Sequence, residues 1–95
     1  MPGYFVYILE CADKSYYTGI TNNIYIRIQQ HQSGYDPKAY TFNRRPLKLV
    51  WHVEFSDPAS AISLEKKIKS WSRQKKQALI SGTYEQLVVL SKKKF

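Results

Sequence analysis

Two β-rich apolar runs, Tyr4–Cys11 and Tyr16–Thr21, are separated by only four residues, Ala12-Asp13-Lys14-Ser15. That spacing predicts an antiparallel hairpin. A lone hairpin is marginal in water, so further elements must cover it. Leu47 to Phe55 supplies a third strand, because Leu47, Leu49, Trp51, Val53 and Phe55 alternate and are expected to share one face. Asn22 or Asn23 is suited to cap a helix running to about Ser33, where Gly34 supplies a stop. Asp57-Pro58 starts a second helix, expected to reach about Ser72, and a shorter one covers Gln74 to Ile80. Residues 35–46 form a basic, aromatic connector with room for one helical turn. The order is β-β-α-β-α-α around one small sheet, an α+β fold. Residues 1–82 make a single domain, and 83–95 a C-terminal extension with a basic tail, Lys92-Lys93-Lys94-Phe95.

With 95 residues and 11.2 kDa, the chain has the size of one ordinary domain. Area scaling buries roughly 65% of its unfolded surface, enough for a core without staples. Cys11 is the sole cysteine, which excludes an internal disulfide and a Cys-rich zinc site; it is expected to be a buried strand residue. With only His31 and His52 besides, any metal is expected to be a hard cation on oxygen ligands. No basic leader or long apolar segment is present, so a cytoplasmic protein without a membrane association is the expectation, with a monomer as default. Fifteen Lys and Arg against seven Asp and Glu leave a net charge of +8, which points to a polyanionic partner. The charge is clustered. Lys66, Lys67, Lys69, Arg73, Lys75 and Lys76 form one acid-free stretch, and Lys38, Arg44, Arg45 and Lys48 another. That distribution favours nucleic acid.

Several side chains stand out against this background. Gly19, inside the Tyr17-Thr18-Gly19 run, marks a bulge or a close backbone approach, by a phosphate or by a neighbouring helix. Arg27 and His31 are four apart and share one helix face, beside the apolar Ile24 and Ile28. Arg27 then either finds an acceptor, a protein carbonyl or a ligand phosphate, or snorkels to solvent. His31, near a helix C-terminus, suits an imidazolium even without a function. Glu65 falls within the buried arc formed by Ala61, Leu64, Ile68 and Trp71, where a carboxylate needs a cation, a metal or hydrogen bonds. The alternative is a half-exposed Glu65–Lys69 pair at i,i+4 spacing. Trp51 and Trp71 suit the core. No Walker loop, GxGxxG or Cys-His pair is present, and carboxylates are too sparse for a two-metal cluster.

Phe5-Val6-Tyr7 and Tyr17-Thr18-Gly19, then Arg27, His31 and Glu65 in this order and spacing, resemble the GIY-YIG nuclease superfamily. The resemblance covers about residues 4–80. The stretch Glu65-Lys-Lys-Ile-Lys-Ser-Trp-Ser-Arg-Gln-Lys-Lys76 is similar to its small stand-alone bacterial branch. It implies a three-stranded antiparallel sheet flanked by helices, and metal-dependent hydrolysis of a DNA phosphodiester. In that reading Glu65 ligates one Mg²⁺ or Mn²⁺, and Arg27 binds the scissile phosphate. Tyr7 and Tyr17 line the site, Tyr17 being favoured to handle the attacking water, and His31 assists. Lys38, Arg44, Arg45, Lys69, Arg73, Lys75 and Lys76 are the expected nucleic-acid contacts. Phe5 departs from the family's first glycine, Ile20 stands where some relatives carry lysine, and Gln77 where others carry a late asparagine.

Hairpin parity gives a check on the shared site. A regular two-residue turn would send Tyr7 and Tyr17 to opposite faces, because side chains alternate with period two. A shared pocket therefore requires an odd loop, expected as Asp13-Lys14-Ser15, or a bulge near Gly19. The alternative to an endonuclease is a binding module of the same fold that cuts weakly or not at all. RNA is a further possible ligand, for which Tyr35, Tyr40 and Phe42 beside the arginines offer stacking groups.

Overall fold

A computed structural model describes residues 3–82. The expectations for the C-terminal extension lie outside the described residues. The elements are β1 (Tyr4–Glu10), β2 (Tyr16–Thr21), α1 (Ile24–Ser33), β3 (Lys48–Phe55), α2 (Pro58–Lys69) and α3 (Arg73–Ser81), with a 3-10 turn at Phe42–Arg44 in the connector. The sheet order is β2-β1-β3, antiparallel throughout, so the fold is α+β as expected.

Each helix begins where a side chain satisfies an otherwise orphaned amide. Asn23 caps α1 by accepting from the Ile26 amide (3.1 Å), Asp57 caps α2 through Ser60 (2.8 Å), and Ser72 caps α3 through Lys75 (3.2 Å). Gly34 closes α1 at φ +70°, a left-handed conformation that suits glycine. α2 ends at Lys69, three residues sooner than expected. There the Ser70 hydroxyl donates back to the Lys67 carbonyl (2.7 Å), and Ser72 turns extended to start α3.

The hairpin loop is odd in length and sits one residue earlier than expected. Cys11 and Ser15 close it, with Ala12-Asp13-Lys14 as the loop and Lys14 left-handed at φ +71°. Tyr7 therefore pairs with Gly19 and Leu9 with Tyr17, which puts both tyrosines on one face. Cys11 lies buried just past the end of β1.

Two core layers cover the two faces. Val6 and Ile8 pack with Ala61, Ile68 and Leu79 of α2 and α3, joined by Tyr16, Ile20, Trp51, Val53, Phe55 and Trp71. Tyr7, Leu9 and Cys11 pack with Ile24 of α1 and Leu47, joined by Tyr17, Ile28 and Leu49. The expectation that Leu47 through Phe55 present one apolar face fails at a β-bulge. Ile8 faces Trp51 but Leu9 faces Leu49, so Val50 is an extra residue. The slip sends Leu47 and Leu49 to the α1 side, while Trp51, Val53 and Phe55 stay with α2. One strand thereby feeds both cores.

Neither a phosphate nor a helix explains Gly19. A Cβ there would lie 2.4 Å from the Tyr7 phenolic oxygen and 2.5 Å from its Cζ. Because the Tyr7 ring is fully buried, it has nowhere to retreat. Gly19→Ala is expected to destabilise the fold by about 1–3 kcal/mol, the range for overpacking a filled site, read as a lower urea midpoint at unchanged m-value.

Candidate active site

On the α1 side of the sheet, one hydrogen-bonded cluster joins Tyr7, Arg27 and His31. α1 presents Arg27 and His31 on the face turned to the sheet, as the i,i+4 spacing predicts. The Tyr7 hydroxyl lies 3.0 Å from His31 Nε2, and Arg27 Nε donates to the same oxygen at 3.4 Å. Arg27 also donates to Tyr35 Oη (2.6 Å) and Gln30 Oε1 (3.2 Å). Tyr17 stands 5.1 Å from the His31 ring and 6.3 Å from Tyr7, and stacks on Tyr40 at 6.1 Å.

Burial sets the protonation states. His31 is 1% exposed. Loss of hydration, with the Arg27 charge nearby, lowers its pKa from 6.5 to about 4. The imidazolium suggested by its helix position is therefore not what the fold holds; the ring is neutral. Burial raises Tyr7 to about 12, despite the opposing hydrogen bond from Arg27. Tyr7 keeps its proton and donates it to His31 Nε2, since its oxygen already accepts from Arg27. His31 Nδ1–H then donates to Thr41 Oγ1 at 2.8 Å, a tautomer assigned from the network.

Thr41 was not recognised in the sequence. A threonine between Tyr40 and Phe42 in a loop carries no signal of its own. The connector brings it in because its backbone is strapped to the hairpin. The Ala12 amide donates to the Arg44 carbonyl (2.8 Å), and Arg44 pairs with Asp13 (3.1 Å) while lying 3.9 Å over the Tyr40 ring.

Glu65 lies apart from this network. It projects from α2, the helix that packs on Val6 and Ile8, and it is 8% exposed and paired with Lys69 at 2.7 Å. Both readings of Glu65 thus hold in part: it is buried, and its partner is the lysine one turn on. The hydrogen bond that Lys69 donates to Glu65 raises the lysine's pKa, and Lys69 also feels the Tyr17 phenol. Among the described residues Glu65 is the sole buried carboxylate, and no group of three or more His, Cys, Asp or Glu side chains is arranged to hold a metal. This donor set does not suit a carboxylate-rich cluster. It does suit a Mg²⁺-like ion held through one carboxylate, waters and substrate oxygens.

The expected nucleic-acid contacts divide. Lys38 and Lys69 are exposed, and Lys76 is half-buried with its pKa lowered by desolvation and by Lys69. Arg73 lies over Tyr16 and donates to the Lys14 carbonyl, and Arg45 lies over Phe42. Lys75 does not belong to the basic surface. It is 5% exposed, with its ammonium 4.7 Å from the Trp71 ring. No helix among the described residues is long and apolar enough to cross a membrane.

Residues 3–78 match the family model described as GIY-YIG catalytic domain. The chain belongs to the GIY-YIG family. It is 48% identical over 84 residues to a UPF0213 protein of Syntrophus aciditrophicus, covering 87% of this chain and 95% of that one. The solution NMR structure of the UPF0213 protein BH0048 from Bacillus halodurans is similar at 42% identity and TM-score 0.56, covering 83% of each chain. That of the protein EF2693 from E. faecalis is similar at 26% identity and TM-score 0.62, covering 88% of each. The family is of nuclease type, and GIY-YIG domains act on nucleic acids.

Two outcomes test the site's electrostatics. His31 takes up a proton more readily in the unfolded chain (about 6.5) than in the fold (about 4). Its contribution to stability is therefore full above about pH 6.5 and declines as the pH falls toward 4, by at most about 3 kcal/mol. Urea unfolding between pH 7 and 4.5 should show this slope in the wild type and a flatter one in His31→Gln. Thr41→Val leaves a buried N–H without its acceptor and should cost about 1–3 kcal/mol, whereas Thr41→Ser should stay close to wild type by the same measurement.

Proposed function

We propose that this chain is a Mg²⁺- or Mn²⁺-dependent endonuclease that hydrolyses DNA phosphodiester bonds. The observation that carries this reading is the polar cluster of Tyr7, Arg27 and His31 beside Tyr17, held on a basic domain whose family is of nuclease type. A half-exposed guanidinium fixed by Tyr7 and Tyr35 is preorganised to receive a phosphate, and it stabilises the charge that grows on the phosphorus oxygens. Tyr7, which keeps its proton, positions Arg27 and His31 and is not the base. Tyr17, its ring beside His31, orients the attacking water. His31, neutral and backed by Thr41, holds the Tyr7 hydroxyl in register.

Glu65 is the residue assigned to the divalent ion, which when bound polarises the phosphate and assists the leaving oxygen. To serve, Glu65 must exchange the Lys69 ammonium for that ion, and the freed ammonium then faces the anionic strand. The same ion pair supports the second reading, a binding module of this fold in which Lys69 keeps the acid occupied and cleavage is weak or absent.

Nicking of supercoiled DNA with and without Mg²⁺ separates the two. The enzyme reading expects Mg²⁺-dependent nicking that falls by about 100-fold or more in Glu65→Gln and Arg27→Ala, and also falls in Tyr17→Phe, with salt-sensitive DNA binding retained by Glu65→Gln. Equal background from wild type and variants, with binding intact, assigns the chain to the module.

A further inference from the structure

One groove reaches the candidate site at Arg27. It is a cavity of about 670 Å³ lined by Ile20, Thr21, Asn22, Asn23, Ile26, Arg27 and Gln30. That size lies within the range of small-ligand sites, roughly 300–1,000 Å³. Its walls have two characters. Ile20 and Ile26 are apolar, and Ile26 keeps 54% of its surface exposed next to Tyr25 at 82%. The rest of the wall is amide. The Thr21 hydroxyl and the Asn23 amide oxygen serve the turn into α1: the Thr21 hydroxyl bonds the Asn23 backbone, and Asn23 Oδ1 accepts from Ile26. Asn22 keeps a whole amide exposed, and Gln30, whose oxygen accepts from Arg27, keeps its NH₂ group to donate.

Arg27 ends the groove at the site. Its Nε and one terminal nitrogen hold Tyr7, Gln30 and Tyr35. The guanidinium is therefore shared between the cluster and the groove. A ligand that placed a phosphate on Arg27 and continued along the groove would meet the amides of Gln30 and Asn22 and the apolar side chains of Ile20 and Ile26. A flat, apolar-faced, hydrogen-bonding group joined to a phosphate is a nucleoside. Side-chain amides offer both donor and acceptor to a base edge, and an aliphatic wall covers its face.

The geometry points to this groove as a subsite for the nucleoside that flanks the phosphate held by Arg27 in a DNA strand. The inference rests on the nuclease reading and adds to it the place where the strand leaves the site. No acid lines the groove, so nothing there repels the backbone.

The test is binding of a short DNA strand, alone and as a duplex, in buffer without divalent metal and with EDTA, followed by fluorescence anisotropy and by amide NMR shifts. Asn22→Ala and Ile26→Ala alter exposed side chains and leave charge unchanged. Each is expected to weaken binding about 5- to 10-fold at an unaltered salt slope, whereas Arg27→Ala also lowers the slope by about one. The amides of residues 20–26 should shift together with Arg27 in the wild type. Wild-type affinity in both groove variants, with the strand still bound and Arg27 still shifted, overturns the subsite and leaves the nuclease reading standing. No binding of DNA by the wild type overturns that reading and the subsite with it. Thymidine monophosphate, titrated in parallel, is expected to shift Arg27 weakly. If it saturates the groove at a lower concentration than the strand, the groove belongs to a free nucleotide and the strand assignment fails.

Discussion

The site depends on one buried phenol. Tyr7 lies flat over Gly19 and ties β1 to the helix on its face through His31 and Arg27. It fits only because its cross-strand partner has no side chain. It reaches His31 only because α1 carries that residue one turn beyond Arg27. The same burial that pushes its pKa to about 12 also removes it as a base and makes it a fixed support. A neutral imidazole completes the arrangement, since a charged one so far from water would cost more than its hydrogen bonds return.

The sheet divides the polar residues between two environments. On the α1 face the cations and phenols stand close together, stacked and hydrogen-bonded through the connector. On the α2 face a buried acid, Glu65, is held by Lys69 at the rim of the apolar core. Lys69 is the cation that feels both Glu65 and Tyr17. Many arginines in this chain serve the scaffold first: Arg44, Arg45 and Arg73 each cover an aromatic ring and donate to a backbone carbonyl. A net charge of +8 therefore overstates the charge that is free to meet a ligand.

Element types and the caps of the first two helices were legible because they are local. Asn23 and Asp57 satisfy helix amides within their own turn, and the apolar periods of the strands need no distant partner to be recognised, whereas the Ser72 cap of α3 was not foreseen. Arg27 and His31 were legible as a pair for the same reason, through helical spacing. The end of α2 was misplaced by three residues, because an apolar stripe that continues through Trp71 hides a break made by Ser70 and Ser72.

By itself, then, the order of residues determined a hairpin of odd-loop parity if its tyrosines were to meet, a third strand, three helices and a buried acid one turn from a lysine. Tertiary structure decided everything that turns on which atoms meet across distance. The bulge at Val50 sends half of β3 to the other core, a choice that depends on packing against two layers rather than on alternation. The partner over Gly19, the neutrality of His31, the recruitment of Thr41 and the withdrawal of Lys75 onto Trp71 all follow from burial and contact. Those quantities exist only once the chain has closed on itself.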